Sequence, residues 1–451
     1  MSEDFMYFIW QSGGLFDLDL RTTGGAEVSV LKPGYRNRGA GPDFLDARIK
    51  IGDITWYGPV EFHLKTSDWD AHGHTSDSAY NNVILHVVME HDREIKTGKG
   101  VQLPTLSLQK YLDRAQIEKY RELQKNKGWI PCDGLLQSRM GDFFWPQYLS
   151  RLAIERQQQK AGRILKMVES ENGHWDKVIF ALLGKYLAGK INAISMAELV
   201  NCTPYKLILK YRSDAKKLQA LLFGQAGFLQ KEEGDDYYLE LKKEYRHLAD
   251  MHNLAPMVSA EWCYMPVRPP AFPTIRIAQM GHLMHREARL LNFLLNAQST
   301  TELLNLFKVD AGPYWRSHYV FGKKAARDSI KRVGKATAES LIVNVAAPVL
   351  FAYGQHSGKI ELTERAIDWL EALPPERNRI VKRWVERGVK PTNALESQAL
   401  LELKSNYCNK NRCLECALGS KLLSEMMAPY LASGFGVGDV GIELGRSMAD
   451  G

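Results

Sequence analysis

Hydrophobic and polar residues alternate along several stretches near the start of the chain, which is the period of a half-buried β-strand. Phe5, Phe8 and Ile9 instead share one helical face and predict a short opening helix, which Gly13-Gly14 ends. The turn signal Gly52-Asp53 joins two of the alternating stretches into a predicted hairpin. The predicted strands are 26–31, 44–51, 54–65 and, after a helical turn at 78–82, the continuously apolar 83–89.

Helical spacing replaces the alternation further along the chain. The predicted helical stretches are 111–125, 145–168, 175–187, 205–222, 237–251, 277–295 and 340–351. The last of these is apolar but short for a membrane span, which favours a buried core helix. We therefore divide the chain into a strand-rich domain at 1–127, a helical domain at 128–260, a helical C-terminal domain at 261–431 and a flexible tail at 432–451.

Composition places the chain among ordinary globular proteins. Its 451 residues exceed what one hydrophobic core usually serves, and 45% are hydrophobic and 25% charged. The acidic start and the absence of a long apolar run indicate a cytoplasmic protein without a membrane segment. A net charge of +7 permits nucleic-acid binding without requiring it.

Two stretches carry the chemistry expected of a metal-dependent enzyme: Gly41-Pro42-Asp43-Phe44 and Val60-Glu61-Phe62-His63-Leu64-Lys65. Alternate side chains of a strand point to opposite faces, so Glu61, His63 and Lys65 share one face. If the strand that Asp43 opens pairs beside this one, two carboxylates, a histidine and a lysine meet, a set suited to holding a divalent metal beside a phosphate. The structural alternative makes Asp43 a turn residue and Glu61 with Lys65 an exposed cross-strand charge pair.

The order of elements, with Pro42-Asp43 opening one strand and Glu61 on the next, resembles the PD-(D/E)xK phosphodiesterases of the restriction-endonuclease-like fold. The resemblance implies an α+β protein in which an N-terminal nuclease-like core with a mixed sheet precedes a mainly helical region. It further implies that Asp43 and Glu61 bind Mg²⁺ or Mn²⁺ and that a lysine two residues beyond Glu61 activates water. His63 stands at that position, so either Lys65 replaces the lysine or His63 serves as base or ligand.

A rival interpretation makes a transition-metal site from the same region. Glu61 and His63, with His72, His74 and His86 further along, offer the carboxylate and imidazole ligands that suit zinc, iron or nickel. No recognised ligand spacing supports this site. His86, inside an apolar strand, also fits a hydrogen-bonded core histidine.

Four arginines are candidate contacts to a nucleic-acid backbone. Arg36 and Arg38 lie in a basic, glycine-rich loop, and Arg268 and Arg276 flank a proline-rich segment. A solvated loop accounts equally well for the first pair, and salt links between domains account equally well for the second.

Three cysteines cluster near the C-terminus as C-x4-C-x2-C: Cys408, Cys413 and Cys416. This pattern predicts either a zinc or iron–sulfur site or three small buried side chains. A fourth ligand would come from Cys132, Cys202, Cys263 or a histidine.

The whole chain also resembles an uncharacterised bacterial family, familiar mainly from Bacteroidetes, over segments 41–44, 58–65, 268–277 and 407–419. That resemblance implies no activity. Our leading hypothesis is a metal-dependent phosphodiesterase acting on DNA or RNA. The alternative is a non-catalytic nucleic-acid-binding or scaffold protein that keeps a nuclease-like fold and has a structural zinc site.

Overall fold

The computed structural model describes residues 2–11, 15, 18–37, 39–112, 114–126, 128–133, 144–257 and 262–424. These residues form two compact units. The first combines Met1–Arg139 with the chain from Lys404 onward, and the second runs from Met140 to Leu403. The three-domain division expected from the sequence stays a prediction, and its tail, residues 432–451, lies outside the described residues.

A mixed β-sheet forms the centre of the first unit. The strands are β1 (Leu20–Arg21), β2 (Glu27–Lys32), β3 (Tyr35–Arg36), β4 (Phe44–Ile51), β5 (Ile54–Lys65), β6 (Leu85–Glu90) and β7 (Thr105–Ser107). They are arranged in the order β1-β2-β4-β5-β6-β7, with β3 also paired to β4. Pairing is antiparallel from β1 to β5 and parallel from β5 to β7.

The helices of this unit are α1 (Glu3–Gln11), α2 (Asp68–Ala71) and α3 (Arg114–Lys125), with α17 (Ala417–Ser424) at the end of the described chain. Helix α1 packs on one face of the sheet, where the rings of Tyr7 and Trp10 meet Phe62 edge-on at 5.3 and 5.5 Å. Short 3₁₀ turns lie at Ser78–Tyr80, Leu108–Lys110 and Cys408–Lys410. One face of β5 is therefore buried under α1, which leaves Glu61 and His63 on the opposite face.

The predicted hairpin is confirmed, since β4 and β5 have the predicted bounds and pair through Ile51 and Ile54 around the Gly52-Asp53 turn. Its register shifts between Phe44 and Ala47, where Asp46 takes a left-handed conformation with φ of 57°. Such a β-bulge bends a strand locally and re-aims the side chains beside it. This bulge adjoins Asp43.

The second unit is helical, as predicted for the region after the sheet. Its helices are α4 (Phe144–Ser170), α5 (Trp175–Cys202), α6 (Tyr205–Tyr211), α7 (Ala215–Gln225), α8 (Asp236–His252), α9 (Pro273–Arg286), α10 (Leu290–Asn296), α11 (Thr300–Phe307), α12 (Lys335–Leu341), α13 (Ala347–Ser357), α14 (Ile360–Glu371), α15 (Arg379–Val385) and α16 (Ala394–Glu402), with a small hairpin of β8 (His318–Val320) and β9 (Lys323–Lys324). A π-helical turn, Ile342–Ala346, joins α12 to α13, and another, Leu403–Tyr407, follows α16.

Several predicted helices of this unit differ from the structure in their bounds. The range of α5 contains two helical segments separated at Gly189, whose φ of 70° and ψ of 179° are not helical, so the first segment ends near the predicted residue 187. The predicted helix 205–222 is divided into α6 and α7, and the predicted helix 277–295 is divided into α9 and α10, with Pro273 opening α9 before the predicted start. Two described stretches, Trp175–Cys202 and Lys335–Ser357, are long and apolar enough to span a membrane, and 56% and 67% of their apolar 18-residue windows are buried inside the protein.

Candidate metal centre

The crossover between the parallel strands β5 and β6 covers the face of the sheet that carries Glu61. Trp69 of α2 is fully buried and packs with Tyr80, Val83, Ile95 and Leu103 in a small hydrophobic cluster. The indole Nε1 of Trp69 donates a hydrogen bond of 3.1 Å to Thr75 Oγ1. This anchoring fixes the path of the crossover over the sheet.

Two histidines of the crossover are thereby placed against β5. The ring of His74 stacks on Tyr80 with centroids 3.7 Å apart. Its Nε2 lies 3.3 Å from Glu61 Oε1, while Nε2 of His63 lies 3.8 Å from the same oxygen. His72, which is exposed, brings its Nδ1 to 3.1 Å from His63 Nε2. Three imidazole nitrogens therefore converge on one small volume, and a carboxylate oxygen lies beside two of them.

The spacing of these atoms matches the ligand shell of a metal ion. The ligand atoms of His63, His72 and His74 all lie within 4.8 Å of one another. Around a tetrahedral zinc ion with bonds of about 2.0–2.1 Å, neighbouring ligand atoms are about 3.3 Å apart. The separations of 3.1, 3.3 and 3.8 Å bracket this value. In addition, Nε2 of His74 is buried and makes no hydrogen bond, even to the Glu61 oxygen 3.3 Å away, as expected of a lone pair available to a metal.

His86 supports this cluster from the next strand. It is fully buried at the register position opposite Glu61, and its Nε2 lies 2.8 Å from His63 Nδ1. The prediction of a hydrogen-bonded core histidine is confirmed here. Such a bond fixes the orientation and tautomer of a ligating imidazole.

Burial determines the charge states in the cluster. It lowers the pKa of His63 to about 2 and that of His86 to about 3, with neighbouring histidines adding to both shifts. Burial also lowers the pKa of His74. The imidazoles of His63, His74 and His86 are therefore neutral near pH 7, which is the form that binds metals. For Glu61, burial followed by the charge of Asp43 raises the pKa to about 8.

Asp43 meets Glu61 across the two strands, as the sequence predicts. Its backbone amide donates to Glu61 Oε2 at 2.9 Å, and its own Oδ2 accepts from the amide of Phe62 at 3.1 Å. Burial raises the pKa of Asp43, while the charge of Arg36 lowers it. Glu61 is only 5% exposed, so the alternative of an exposed Glu61–Lys65 pair is wrong.

Lys65 lies away from this cluster. Strand geometry separates it from Glu61 by about 13 Å along β5. Its side chain is half exposed, and Nζ lies 3.8 Å from Oε2 of Glu90 on the neighbouring strand. The cluster therefore consists of carboxylates and histidines and does not include Lys65.

Helix α1 contributes residues near the site that no sequence pattern predicts. Glu3 and Tyr7 both lie near Asp43, whose charge raises the pKa of each after the larger effect of burial. The guanidinium of Arg36 lies over the Tyr7 ring at 4.4 Å and binds Asp4 Oδ1 at 2.8 Å. A partly exposed cation thus stands at the edge of the carboxylate pair.

The other predicted nucleic-acid contacts are Arg38, Arg268 and Arg276. Arg38 lies outside the described residues. Arg268 is exposed in the second unit, before the 3₁₀ turn Pro269–Ala271. Arg276 lies in the first turn of α9, where its Nη1 donates to Gln279 Oε1 at 2.9 Å and burial lowers its pKa to about 10. A role for these three residues in nucleic-acid binding stays a prediction.

The donor set favours some metals over others. Mg²⁺, which the nuclease resemblance implies, prefers oxygen ligands, whereas imidazoles with a carboxylate suit zinc, iron or nickel. Asp43 and Glu61 fit the expected carboxylate pair, but three imidazole nitrogens accompany Glu61. The residues therefore fit a transition-metal ion better than magnesium.

Fold and site together define an α/β protein with a mixed sheet, a helical region and a buried histidine–carboxylate cluster. Residues 3–379 match DUF2851, a protein family of unknown function, and the chain belongs to that family. No curated protein and no solved structure matches the chain significantly. The matched range includes the whole cluster and ends before the cysteines at 408–416.

Proposed function

We propose that this protein is a metal-dependent phosphodiesterase acting on DNA or RNA, with its metal held by Glu61, His63, His72 and His74. The observation that carries the proposal is the cluster of three histidine ligand atoms, two of which lie within 3.8 Å of the buried Glu61 carboxylate, beside the half-buried carboxylate of Asp43. A transition metal held there would polarise a phosphate and lower the pKa of bound water.

The surrounding side chains supply the remaining functions. Asp43, whose pKa is raised by burial, is placed to accept a proton from an attacking water. Arg36 is placed to bind a phosphate at the rim of the cluster, since guanidinium groups match phosphate oxygens in pairs. His86 orients His63 and takes no direct part.

The test uses the full-length chain, stripped with a chelator and reloaded separately with Mg²⁺, Mn²⁺, Zn²⁺ or Fe²⁺. Substrates are single- and double-stranded DNA, RNA and the small diester bis(p-nitrophenyl) phosphate. Asp43→Asn and Glu61→Gln should each lower the rate by more than about 100-fold, because each removes a charged group from the reacting centre. Glu90→Gln is the matched control, since Glu90 is an exposed carboxylate on the adjacent strand.

Cleavage that persists in both variants would refute this site. Absence of cleavage with every metal, together with salt-sensitive binding of nucleic acid, would instead support a non-catalytic nucleic-acid-binding protein. The ion pair that occupies Lys65 favours this second function, because a lysine near the second acid is what the nuclease resemblance requires.

A further inference from the structure

A second group of potential metal ligands lies in the first unit, outside the histidine–carboxylate cluster. Cys408, Cys413 and Cys416 are all buried in the segment that follows the last π-helical turn. Cys132, which comes before the second unit in sequence, is buried as well. No disulfide joins these cysteines, so each carries a thiol.

Two contacts made by residues shortly before Cys132 bring the separate segments together. The ammonium of Lys404 lies over the ring of Trp129 at 5.1 Å. The side-chain amide of Gln124 donates to the backbone oxygen of Asn411 at 3.3 Å. The chain around Cys132 is therefore held against the chain that carries the other three thiols.

The local backbone on both sides is tightly organised. Asn126 accepts from the amide of Gly128 and donates to the oxygen of Pro131 at 2.8 Å each, which fixes the turn before Cys132. On the other segment, the amide of Cys416 donates to Cys413 O at 3.3 Å, and α17 approaches so closely that a Cβ on Gly419 would lie 2.2 Å from that oxygen. Two rigid turns thus present the thiols.

The four thiols affect one another electrostatically. After burial, the charges of Cys416 and Cys413 raise the pKa of Cys132 to about 12. Cys416 likewise raises the pKa of Cys413 to about 12, and all three other thiols act in the same direction on Cys408. Each of the four thiols therefore lies within electrostatic range of the others, although no three of their sulfurs lie within 4.8 Å of one another, and Cys202 and Cys263 are not among the causes of these shifts.

We infer that Cys132, Cys408, Cys413 and Cys416 form a four-thiolate metal site that takes a zinc ion or an iron–sulfur cluster and ties the C-terminal segment to the sheet unit. Four cysteine thiolates are a complete ligand set for either group. The C-x2-C pair formed by Cys413 and Cys416 has the spacing found in structural zinc sites. Lys404 lies near enough to lower the pKa of Cys408, which offsets part of the negative charge of four thiolates.

This inference goes beyond the proposed function and is independent of it. A buried thiol by itself is an ordinary small apolar side chain. Burial alone, however, does not require thiols from two distant segments to meet at one place. A metal bound by thiols from both segments would stabilise the folded chain, because the free energy of binding becomes folding free energy.

The experiment measures metal content in the full-length chain purified without chelator. Zinc, iron and acid-labile sulfide are measured in the wild type and in Cys132→Ser, Cys413→Ser, Cys202→Ser and His72→Ala. We expect the thiol-bound metal, about one zinc ion or up to about four irons with sulfide, to be lost in the first two variants. It should remain in Cys202→Ser, a cysteine of the second unit, and in His72→Ala, which removes a ligand of the other cluster.

A second measurement needs no variant and so does not depend on their folding. The wild type is alkylated before and after its metal is removed, with a chelator for zinc or with ferricyanide and EDTA for an iron–sulfur cluster, and each cysteine is followed by peptide mass spectrometry. The four site cysteines should be protected together and released together, whereas the reactivity of Cys202 and Cys263 should not respond to metal removal. Metal-free protein that binds neither added Co²⁺ through thiolates nor a cluster supplied as iron and sulfide would overturn the inference, and so would Cys132→Ser retaining the metal that Cys413→Ser loses.

Discussion

Oε1 of Glu61 lies 3.3 Å from Nε2 of His74, although one residue is on a buried strand and the other is in the crossover that follows it. This contact turns the connection between two parallel strands into part of a binding site. The same carboxylate is held from the other side by the amide of Asp43. Glu61 therefore links three separate stretches of the chain, and its protonation should affect stability as well as metal binding.

The first prediction concerns the pH dependence of stability in the metal-free protein. The pKa of Glu61 rises from its ordinary value of 4.5 to about 8 in the folded chain, mainly through burial. Folded protein thus holds a proton that the unfolded chain releases, so the stability from this group is complete below pH 4.5 and is lost as the pH rises to 8. Glu61→Gln, which keeps a neutral acceptor, should be the more stable protein at about pH 9, by at most about 5 kcal/mol.

Urea unfolding with a chelator present, repeated from about pH 5 to about pH 9, measures this difference. The advantage of Glu61→Gln should shrink towards the acidic end. An advantage that stays constant with pH would show that the buried proton resides elsewhere.

The second prediction concerns metal affinity. His72 is exposed, so His72→Ala should leave the fold intact while removing one of the three imidazole ligands. We expect the dissociation constant for Zn²⁺ to rise by more than about 10-fold, since even residues that only orient a ligand contribute that much. His91→Ala is the control, because His91 pairs with Glu94 at 3.3 Å outside the cluster. Competition titration with a chromophoric chelator provides the readout, and equal affinities in both variants would contradict the proposed ligand set.

The third prediction separates this site from the nuclease motif that it resembles. Lys65 is half exposed and pairs with Glu90, and such surface pairs contribute about 0–1 kcal/mol. Lys65→Met should therefore change the stability by less than about 1 kcal/mol and change any cleavage rate by less than about 3-fold. If Lys65 were instead the water-activating residue, the rate would fall by about 100-fold or more at unchanged stability.

The fourth prediction concerns substrate binding. Arg36→Gln should weaken binding to single-stranded DNA and reduce the slope of log affinity against log salt by about 1, as expected for the loss of one phosphate contact. Arg21→Gln is the matched control, since Arg21 is an exposed arginine of the same unit that pairs with Asp19 at 3.1 Å. Identical salt slopes for the two variants would place the phosphate contact elsewhere.

The sequence predicts the parts of this site that follow from local periodicity. Alternation along β5 places Glu61 and His63 on one face, and the turn at Gly52-Asp53 brings Asp43 beside Glu61. Helices after the strands were expected from the same periodicity, and the mixed sheet was implied by the nuclease resemblance; both are confirmed.

Other contributions depend on tertiary contacts that no spacing reveals. His72 and His74 reach β5 because Trp69 and Tyr80 are buried under the crossover. Hydrophobic periodicity does not predict the course of such a loop. Tyr7 approaches Asp43 only because α1 packs across the sheet. Cys132 remained one of several candidate ligands, since residues so far apart in sequence are brought together by folding alone.

The first unit is interrupted in sequence, since its last part follows Lys404 and the whole second unit lies between. During synthesis, the ribosome therefore makes every residue of the histidine–carboxylate cluster long before it makes the segment that packs near Cys132. A nascent chain can close the crossover over β5 early, but it can complete the sheet unit only after the whole second unit has been made. Premature termination before residue 404 would release a protein with its candidate catalytic residues present and its final tether missing.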